Sequence, residues 1–196
     1  MMQARALEPY APPIQWLQMA NGGGWIFKVA WPWIKDNDNY TINAIVKASP
    51  ILTSTSELFH EENRKHFVHL LDISHPDPKV IGEDSLDAET RIAYEITLSY
   101  IGWIYQRMQS GEHNLATCRR LVGFAPHVPK KFIEMVEQHQ PRALIILAHY
   151  FALAAKLEYV WWIGETARRE VLGIRSILQG EWHDLMHWPF EIVESR

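Results

Sequence analysis

The stretch from Ala143 to Ala155 is strongly apolar, and only His149 and Tyr150 interrupt it with polar side-chain atoms. A helix with this pattern is apolar on nearly every side, which is typical of a helix enclosed at the centre of a domain. Pro141 suits the first turn of a helix, where its missing N–H leaves no hydrogen bond unmade. The stretch is shorter than the roughly 20 residues that a membrane span requires. The pattern therefore predicts a buried central helix over residues 141–158 and no membrane span.

Helical spacing of apolar side chains recurs through most of the chain. The segments with this pattern are 14–20, 40–48, 53–71, 87–109, 114–122, 130–138, 160–178 and a short stretch within 181–190. No segment shows the sustained two-residue alternation that indicates a strand. We therefore predict an all-α fold, a single domain of about eight helices built around the helix 141–158. This helical, ligand-binding-type domain would occupy residues 13–190, after an extended segment over residues 1–12.

Glycines and prolines mark the predicted boundaries of several helices. The run Asn21-Gly22-Gly23-Gly24 would cost a helix roughly 1 kcal/mol per glycine relative to alanine. Either the first helix breaks there, or the glycines permit the close approach of another group. The lysine and hydroxyl of a phosphate-binding loop are absent from the run. We predict that Ala30-Trp31-Pro32-Trp33 ends this segment, that Pro126 and Pro129 bound a loop, and that Trp188-Pro189 stops the last helix.

Composition and charge narrow the possible functions. The formal net charge of −4 and the pI near 6.2 argue against direct nucleic-acid binding, which usually takes a basic surface. The single cysteine, Cys118, excludes an internal disulfide and a cysteine-rich zinc site, so we expect an intracellular location, cytoplasmic or nuclear. Nine tryptophans among 196 residues provide enough aromatic surface to line an apolar pocket as well as to fill a core.

The histidines do not form a recognisable metal motif. His183 and His187 are four residues apart, and His66 and His69 are three apart. A zinc hydrolase of the common kind needs a glutamate directly after the first histidine, and Asp184 occupies that position here. Capping or surface roles are the simpler interpretation of these side chains. We predict no metal site and no cofactor.

His149 and Tyr150 allow two interpretations. Polar groups on an apolar helix must find partners, because leaving one buried and unpaired costs about 1–3 kcal/mol. They either bond to neighbouring groups as satisfied core residues, or point into an apolar cavity and bind the one polar group of a lipid-like ligand. In the second case, the cavity would lie between the helix 141–158, the helix 87–109 and the segment 16–33.

Several motifs resemble the C-terminal region of fungal binuclear-zinc-cluster transcription factors of the sterol-uptake-control type. Together they extend from about residue 13 to residue 189 and consist of packing residues without catalytic content. The motifs are Trp16-Leu17 with Gly22 and Phe27, Ala30-Trp31-Pro32, Pro141-x-Ala143-Leu144-x-x-Leu147-Ala148-His149-Tyr150, Trp161-Trp162-x-Gly164-x-x-Ala167, and Trp182-x-x-x-Met186-x-Trp188-Pro189.

The resemblance implies an all-helical regulatory domain that binds a hydrophobic small molecule, ergosterol in the best-known members, and that pairs as a homodimer. The family's DNA-binding module needs six cysteines, and this sequence has one. Combining the resemblance with the predicted cavity gives a set of candidate ligand-binding residues: Trp16, Phe27, Trp103, His149, Tyr150, Trp161 and Trp162.

Two further functions remain open at this stage. The same pocket could fold a polyene or enone for cyclisation or cycloaddition, because holding the reacting ends together supplies up to about 7–11 kcal/mol. Tyr150, His149 or Tyr105 would then be the catalytic candidates that polarise a carbonyl. The third possibility is a helical interaction module with a filled core and no ligand, against which the surplus of aromatic residues argues.

Overall fold

The computed structural model describes residues 9–36, 57–71, 87–157 and 164–195. These residues form an all-α domain, as predicted, with eight α-helices and two 3₁₀ helices and no strand in the described ranges. The elements are α1 (Ile14–Ile34), η1 (Glu61–Leu70), α2 (Ala88–Gln109), α3 (Asn114–Val122), α4 (Phe124–His127), α5 (Lys130–Glu137), α6 (Pro141–Ala155), α7 (Gly164–Ile177), η2 (Gly180–Met186) and α8 (His187–Glu194).

Helix α6 is the buried centre of the fold. Every residue from Arg142 to Ala155 is buried, and Pro141 occupies the first turn, as predicted. The helix is surrounded by α2, α5, α7, α8 and η2. It ends three residues before the predicted position, because the amides of Lys156 and Leu157 bond to the carbonyls of Leu153 and Ala154 in a tighter turn.

Arg142 lies in the first turn of α6 and is buried despite its charge. Its guanidinium donates hydrogen bonds to the carbonyl oxygens of Leu70 and Leu71, at 2.9 and 2.6 Å. These carbonyls stand at the C-terminal end of η1, where a helix dipole favours a cation. Arg142 therefore fastens the end of η1 to the central helix.

Helix α1 continues through the glycine run without a break. A Cβ atom on Gly24 would lie 2.7 Å from Cβ of Pro126, whereas one on Gly22 or Gly23 would meet nothing within 4 Å. The close approach anticipated from the sequence thus occurs at Gly24, where α1 crosses α4. Pro32 lies inside the last turn of the helix, and the predicted end at Ala30-Trp31-Pro32-Trp33 falls within one residue of the observed end at Ile34. A proline there removes one backbone hydrogen bond in the final turn, and the helix continues to Ile34.

Helices α2, α3 and α5 agree with the sequence to within one residue. Asp87 caps α2 by accepting a hydrogen bond from the amide of Thr90 at 2.8 Å. Within the predicted segment 53–71, the structure gives a 3₁₀ helix rather than an α-helix. This helix crosses α2 at Gly102, where an added Cβ would lie 1.9 Å from the carbonyl oxygen of Asn63. Only glycine permits that approach.

Two proline-based predictions are wrong for one physical reason. Pro126 lies inside the one-turn helix α4, and Pro189 lies in the first turn of α8 rather than after a helix. The first amides of a helix have no partner within the helix, so proline is tolerated in that turn. The predicted helix 40–48 and the beginning of the predicted helix 160–178 fall outside the described residues.

Candidate functional site

The central helix carries two neighbouring polar residues that point to different aromatic groups. Tyr150 stacks on Phe124 of α4 at 3.9 Å between ring centroids and on Trp16 of α1 at 6.0 Å. Its hydroxyl donates a hydrogen bond to the carbonyl oxygen of Leu121 at 3.0 Å. Burial raises the pKa of Tyr150, with a smaller contribution from Cys118. The hydroxyl is therefore neutral and engaged with the backbone.

His149 lies in a second group, which we call the aromatic–histidine cluster. Its ring stacks on Trp188 of α8, with centroids 5.3 Å apart, and meets the edge of Phe67 of η1 at 5.7 Å. The cluster comprises His66, Phe67, His69, Tyr105, His149 and Trp188. His149 and Phe67 are buried, Tyr105 and Trp188 are half-buried, and His66 and His69 are exposed. The cluster thus extends from the central helix to the surface.

The protonation of His149 follows from its surroundings. Nδ1 lies 2.8 Å from the carbonyl oxygen of Ile145, an acceptor, so Nδ1 carries the proton and Nε2 is an unprotonated acceptor. Burial lowers the pKa of His149 to about 4, against a smaller opposing effect of the Ile145 carbonyl, and His69 and His66 lower it further. At neutral pH the ring is uncharged. It can accept one hydrogen bond inside an otherwise aromatic cluster.

The other candidate residues lie apart from both groups or outside the described residues. Phe27 is half-buried and stacks on Trp31 within α1, at 5.4 Å. Trp103 lies on α2 beneath the guanidinium of Arg120, which stands 4.0 Å from its ring centroid. Trp161 and Trp162 fall outside the described residues. The structure therefore brings Trp16 to Tyr150 and Tyr105 to the cluster of His149, but it does not bring all the candidates into one cavity.

Three neighbours of the candidates escaped the sequence analysis. Phe67 belongs to an apolar pattern, Trp188 was interpreted as part of a helix stop and of a family motif, and Phe124 precedes a predicted loop. The closest signal was the spacing of His66 and His69, which places both on the same short helix as Phe67. Within the described ranges, no three histidine, cysteine, aspartate or glutamate side chains group so that they could hold a metal ion.

The fold and site together define a class: an all-helical domain with an aromatic core around one apolar helix. None of the helices in the described ranges has the length and hydropathy needed to cross a membrane. No protein-family model and no solved structure matches the chain.

Two curated relatives are fungal proteins. A Zn(2)-C6 fungal-type transcription factor of Gibberella zeae is 27% identical over 191 residues, which is 94% of this chain and 35% of the relative. The Zn(2)-C6 fungal-type transcription factor afumD of Aspergillus fumigatus is 27% identical over 152 residues, which is 76% of this chain and 37% of the relative. The chain thus spans about a third of each relative.

These matches confirm the resemblance to fungal zinc-cluster transcription factors. The 196 residues contain one cysteine, so the matching region does not include the cysteine cluster that binds DNA in that family. It corresponds to a part of such factors other than the DNA-binding module.

Proposed function

We propose that this chain is a regulatory domain that binds a hydrophobic small molecule carrying a hydroxyl group, of the sterol or terpenoid kind. The homology to fungal transcription factors supports a regulatory role inside the cell, in the nucleus. The observation that carries the ligand proposal is His149, a buried and neutral histidine whose Nε2 is an acceptor among aromatic rings.

The chemistry of the aromatic–histidine cluster favours one class of ligand. An acceptor nitrogen in aromatic surroundings favours a donor hydroxyl attached to an apolar body, because burying both removes apolar surface from water while pairing the one polar group. Tyr150 serves a different role, since its hydroxyl already donates to Leu121. His149 is therefore the proposed anchor, and the half-buried Tyr105 and Trp188 are the proposed walls.

The experiment replaces His149 and Tyr150 in turn by phenylalanine and compares how each variant binds two ligands. Purified protein is incubated with ergosterol and with its 3-O-methyl ether, and bound ligand is measured by native mass spectrometry. We expect one ergosterol per chain and about tenfold weaker binding of the ether, which has no hydroxyl to donate. His149→Phe keeps an aromatic ring but removes the acceptor, so it should abolish the preference for ergosterol. Tyr150→Phe, at a residue that points to a different aromatic group, should preserve it.

Three results would contradict parts of this proposal. Equal binding of ergosterol and its ether by the natural sequence would contradict the hydroxyl anchor. Retention of the preference in His149→Phe would contradict the choice of residue. If neither the sterols nor terpenoid alcohols bind, the ligand-binding function is wrong and an interaction module remains.

A cofactor-free cyclase is the second candidate function. Tyr105 lies at the edge of Phe67, with centroids 5.6 Å apart, so a phenol borders the same cluster as His149. It could polarise the carbonyl of an enone held against the aromatic rings. Incubation with terpenoid polyenes, followed by chromatography, tests this function. Appearance of an isomer of unchanged mass that is lost in Tyr105→Phe would establish turnover, and recovery of the unaltered polyene would exclude it for those substrates.

We propose that α1 forms the interface of a homodimer. Met19, Ile26, Val29 and Trp33 are exposed and recur at intervals of seven, three and four residues, which aligns them on one face of the helix. An apolar face of this kind can pair with its own copy across a two-fold axis. Light scattering should give twice the chain mass, and Ile26→Lys should give the monomer. A monomeric natural sequence at high concentration would refute the dimer.

A further inference from the structure

A cleft of about 470 Å³ lies between η1 and the C-terminal half of α2. Glu57, His60, Trp103, Gln106 and Arg107 are among the residues that line it. Its volume lies within the range of roughly 300–1,000 Å³ that is usual for small-molecule sites. We propose that this cleft binds a small organic carboxylate, with Arg107 and the indole N–H of Trp103 as hydrogen-bond donors. This site is separate from the cluster of His149, and neither proposal depends on the other.

The walls of the cleft are held in place without a ligand. The backbone of η1 at Asn63 presses directly on Gly102 of α2, where no side chain would fit. Gln106 adds hydrogen bonds from its amide nitrogen to the carbonyl oxygens of Glu62 and Asn63, at 3.3 and 3.4 Å. A site with fixed walls loses little conformational freedom when a ligand binds.

Trp103 supplies a donor that lacks an acceptor. The residue is 5% exposed, and its indole nitrogen has no hydrogen-bond partner. Buried polar groups in proteins are nearly always paired, so such a nitrogen points to a missing acceptor. The ring cannot turn to find one, because Arg120 covers its face and is itself held by the carboxylate of Glu112. Trp103 lines the cleft, so a ligand oxygen bound there is the acceptor that we propose for this nitrogen.

Arg107 and His60 define the charge of the ligand. Arg107 is paired with the carboxylate of Glu57 at 3.2 Å, and both side chains are exposed, so the pair is weak and can be exchanged. The carboxylate of Glu57 binds the guanidinium of Arg107 in the way that a ligand carboxylate would. His60 accepts the amide N–H of Glu62 at Nδ1, which leaves Nε2 for a hydrogen bond to a ligand. The positive charge of Arg107 and the indole N–H of Trp103 together favour a ligand with an anionic oxygen.

The test follows the indole signals of the full ¹⁵N-labelled chain during titration with 2-naphthoate and, separately, with the uncharged 2-naphthamide. We expect 2-naphthoate to shift one indole N–H signal in a saturable way and to shift the others little. That signal should be missing in Trp103→Phe, which assigns it. The amide should cause no saturable shift, because it cannot replace Glu57 on Arg107.

Surface variants keep the test independent of folding. Arg107→Gln should weaken 2-naphthoate binding about tenfold, and Glu57→Gln should strengthen it because a competing carboxylate is removed. Lys130→Gln, at an exposed lysine of α5, is the matched control and should change nothing. Absence of a saturable shift at millimolar 2-naphthoate would overturn the proposal. Equal binding of the amide, or unchanged affinity in Arg107→Gln, would overturn it as well.

Discussion

Helices α1 and α6 are both rich in apolar side chains, yet they occupy opposite positions in the fold. In α6, fourteen of the fifteen residues are buried. In α1, Leu17 is the one buried residue among 21, and Trp33 is 85% exposed. The two helices show that apolar composition alone does not determine burial.

The difference lies in the number of neighbours around each helix. Five elements surround α6, so every direction around its axis meets another part of the protein. Helix α1 packs mainly on α4 and α5, along a narrow line at Leu17, Asn21 and Gly24. Asn21 donates to the carbonyl oxygens of Ala125 and Val128 along this line. Trp16 also packs on the core, whereas Met19, Trp25, Ile26, Val29 and Trp33 are exposed.

The largest expected effect comes from replacing one isoleucine by alanine in each of the two helices. Ile146→Ala in α6 removes a fully buried side chain and should lower the free energy of unfolding by about 2–5 kcal/mol. Ile26→Ala in α1, at a residue that is 62% exposed, should change it by less than about 0.5 kcal/mol. Urea denaturation, at a dilution where light scattering shows a monomer, measures both. Similar losses for the two variants would contradict the difference in burial.

The second prediction concerns the pH dependence of the free energy of unfolding, to which His149 of α6 contributes. The pKa of His149 is about 4 in the folded protein, whereas the ordinary value for a solvated histidine is 6.5. Below pH 6.5 the unfolded chain therefore binds more protons than the folded one. The free energy of unfolding should fall as pH drops from about 6.5 to about 4, by about 3 kcal/mol in total.

The control for the pH effect is His149→Phe, which should flatten this part of the pH profile. The histidines outside the aromatic–histidine cluster are common to both proteins and cancel in the difference. Parallel profiles for the natural sequence and His149→Phe would show that His149 is not buried as a neutral ring.

The smallest expected effect comes from replacing each of two glycines of α1 by alanine. We expect opposite changes in stability for the two variants. Gly24→Ala places a methyl group against Pro126 and should destabilise the protein by about 1–3 kcal/mol. Gly22→Ala meets nothing within 4 Å and should stabilise it by up to about 1 kcal/mol, because alanine favours a helix. Thermal unfolding of the two variants gives the signs. A loss of stability in both would mean that α1 packs more closely than described.

The helices could be predicted where a local rule determined them. Pro141 and Asp87 each identify a helix start through the hydrogen bonds of the first turn alone. Proline rules failed at Pro126 and Pro189, because a proline signal does not distinguish a helix end from a first turn. The 3₁₀ helix Glu61–Leu70 packs against Gly102, and a contact between residues so distant in sequence could not be predicted from a local rule.

The candidate site was less accessible from the sequence than the fold. His149 and Tyr150 were identified because polar residues on an apolar helix must have partners. Their partners could not be identified, since the carbonyl of Leu121 and the ring of Trp188 approach them only through the tertiary arrangement. The adjacent residues point to different groups because one residue advances about 100° around a helix.

The sequence by itself determined that α6 is the core, because a helix that is apolar on all sides has no face that water can solvate. It also determined the all-α class, since apolar spacing is local to each segment. Only the tertiary structure decided that α1, which is also rich in apolar residues, lies at the surface and that His149 is held as a neutral acceptor. Both depend on which elements surround a residue, and those neighbours come from distant parts of the chain.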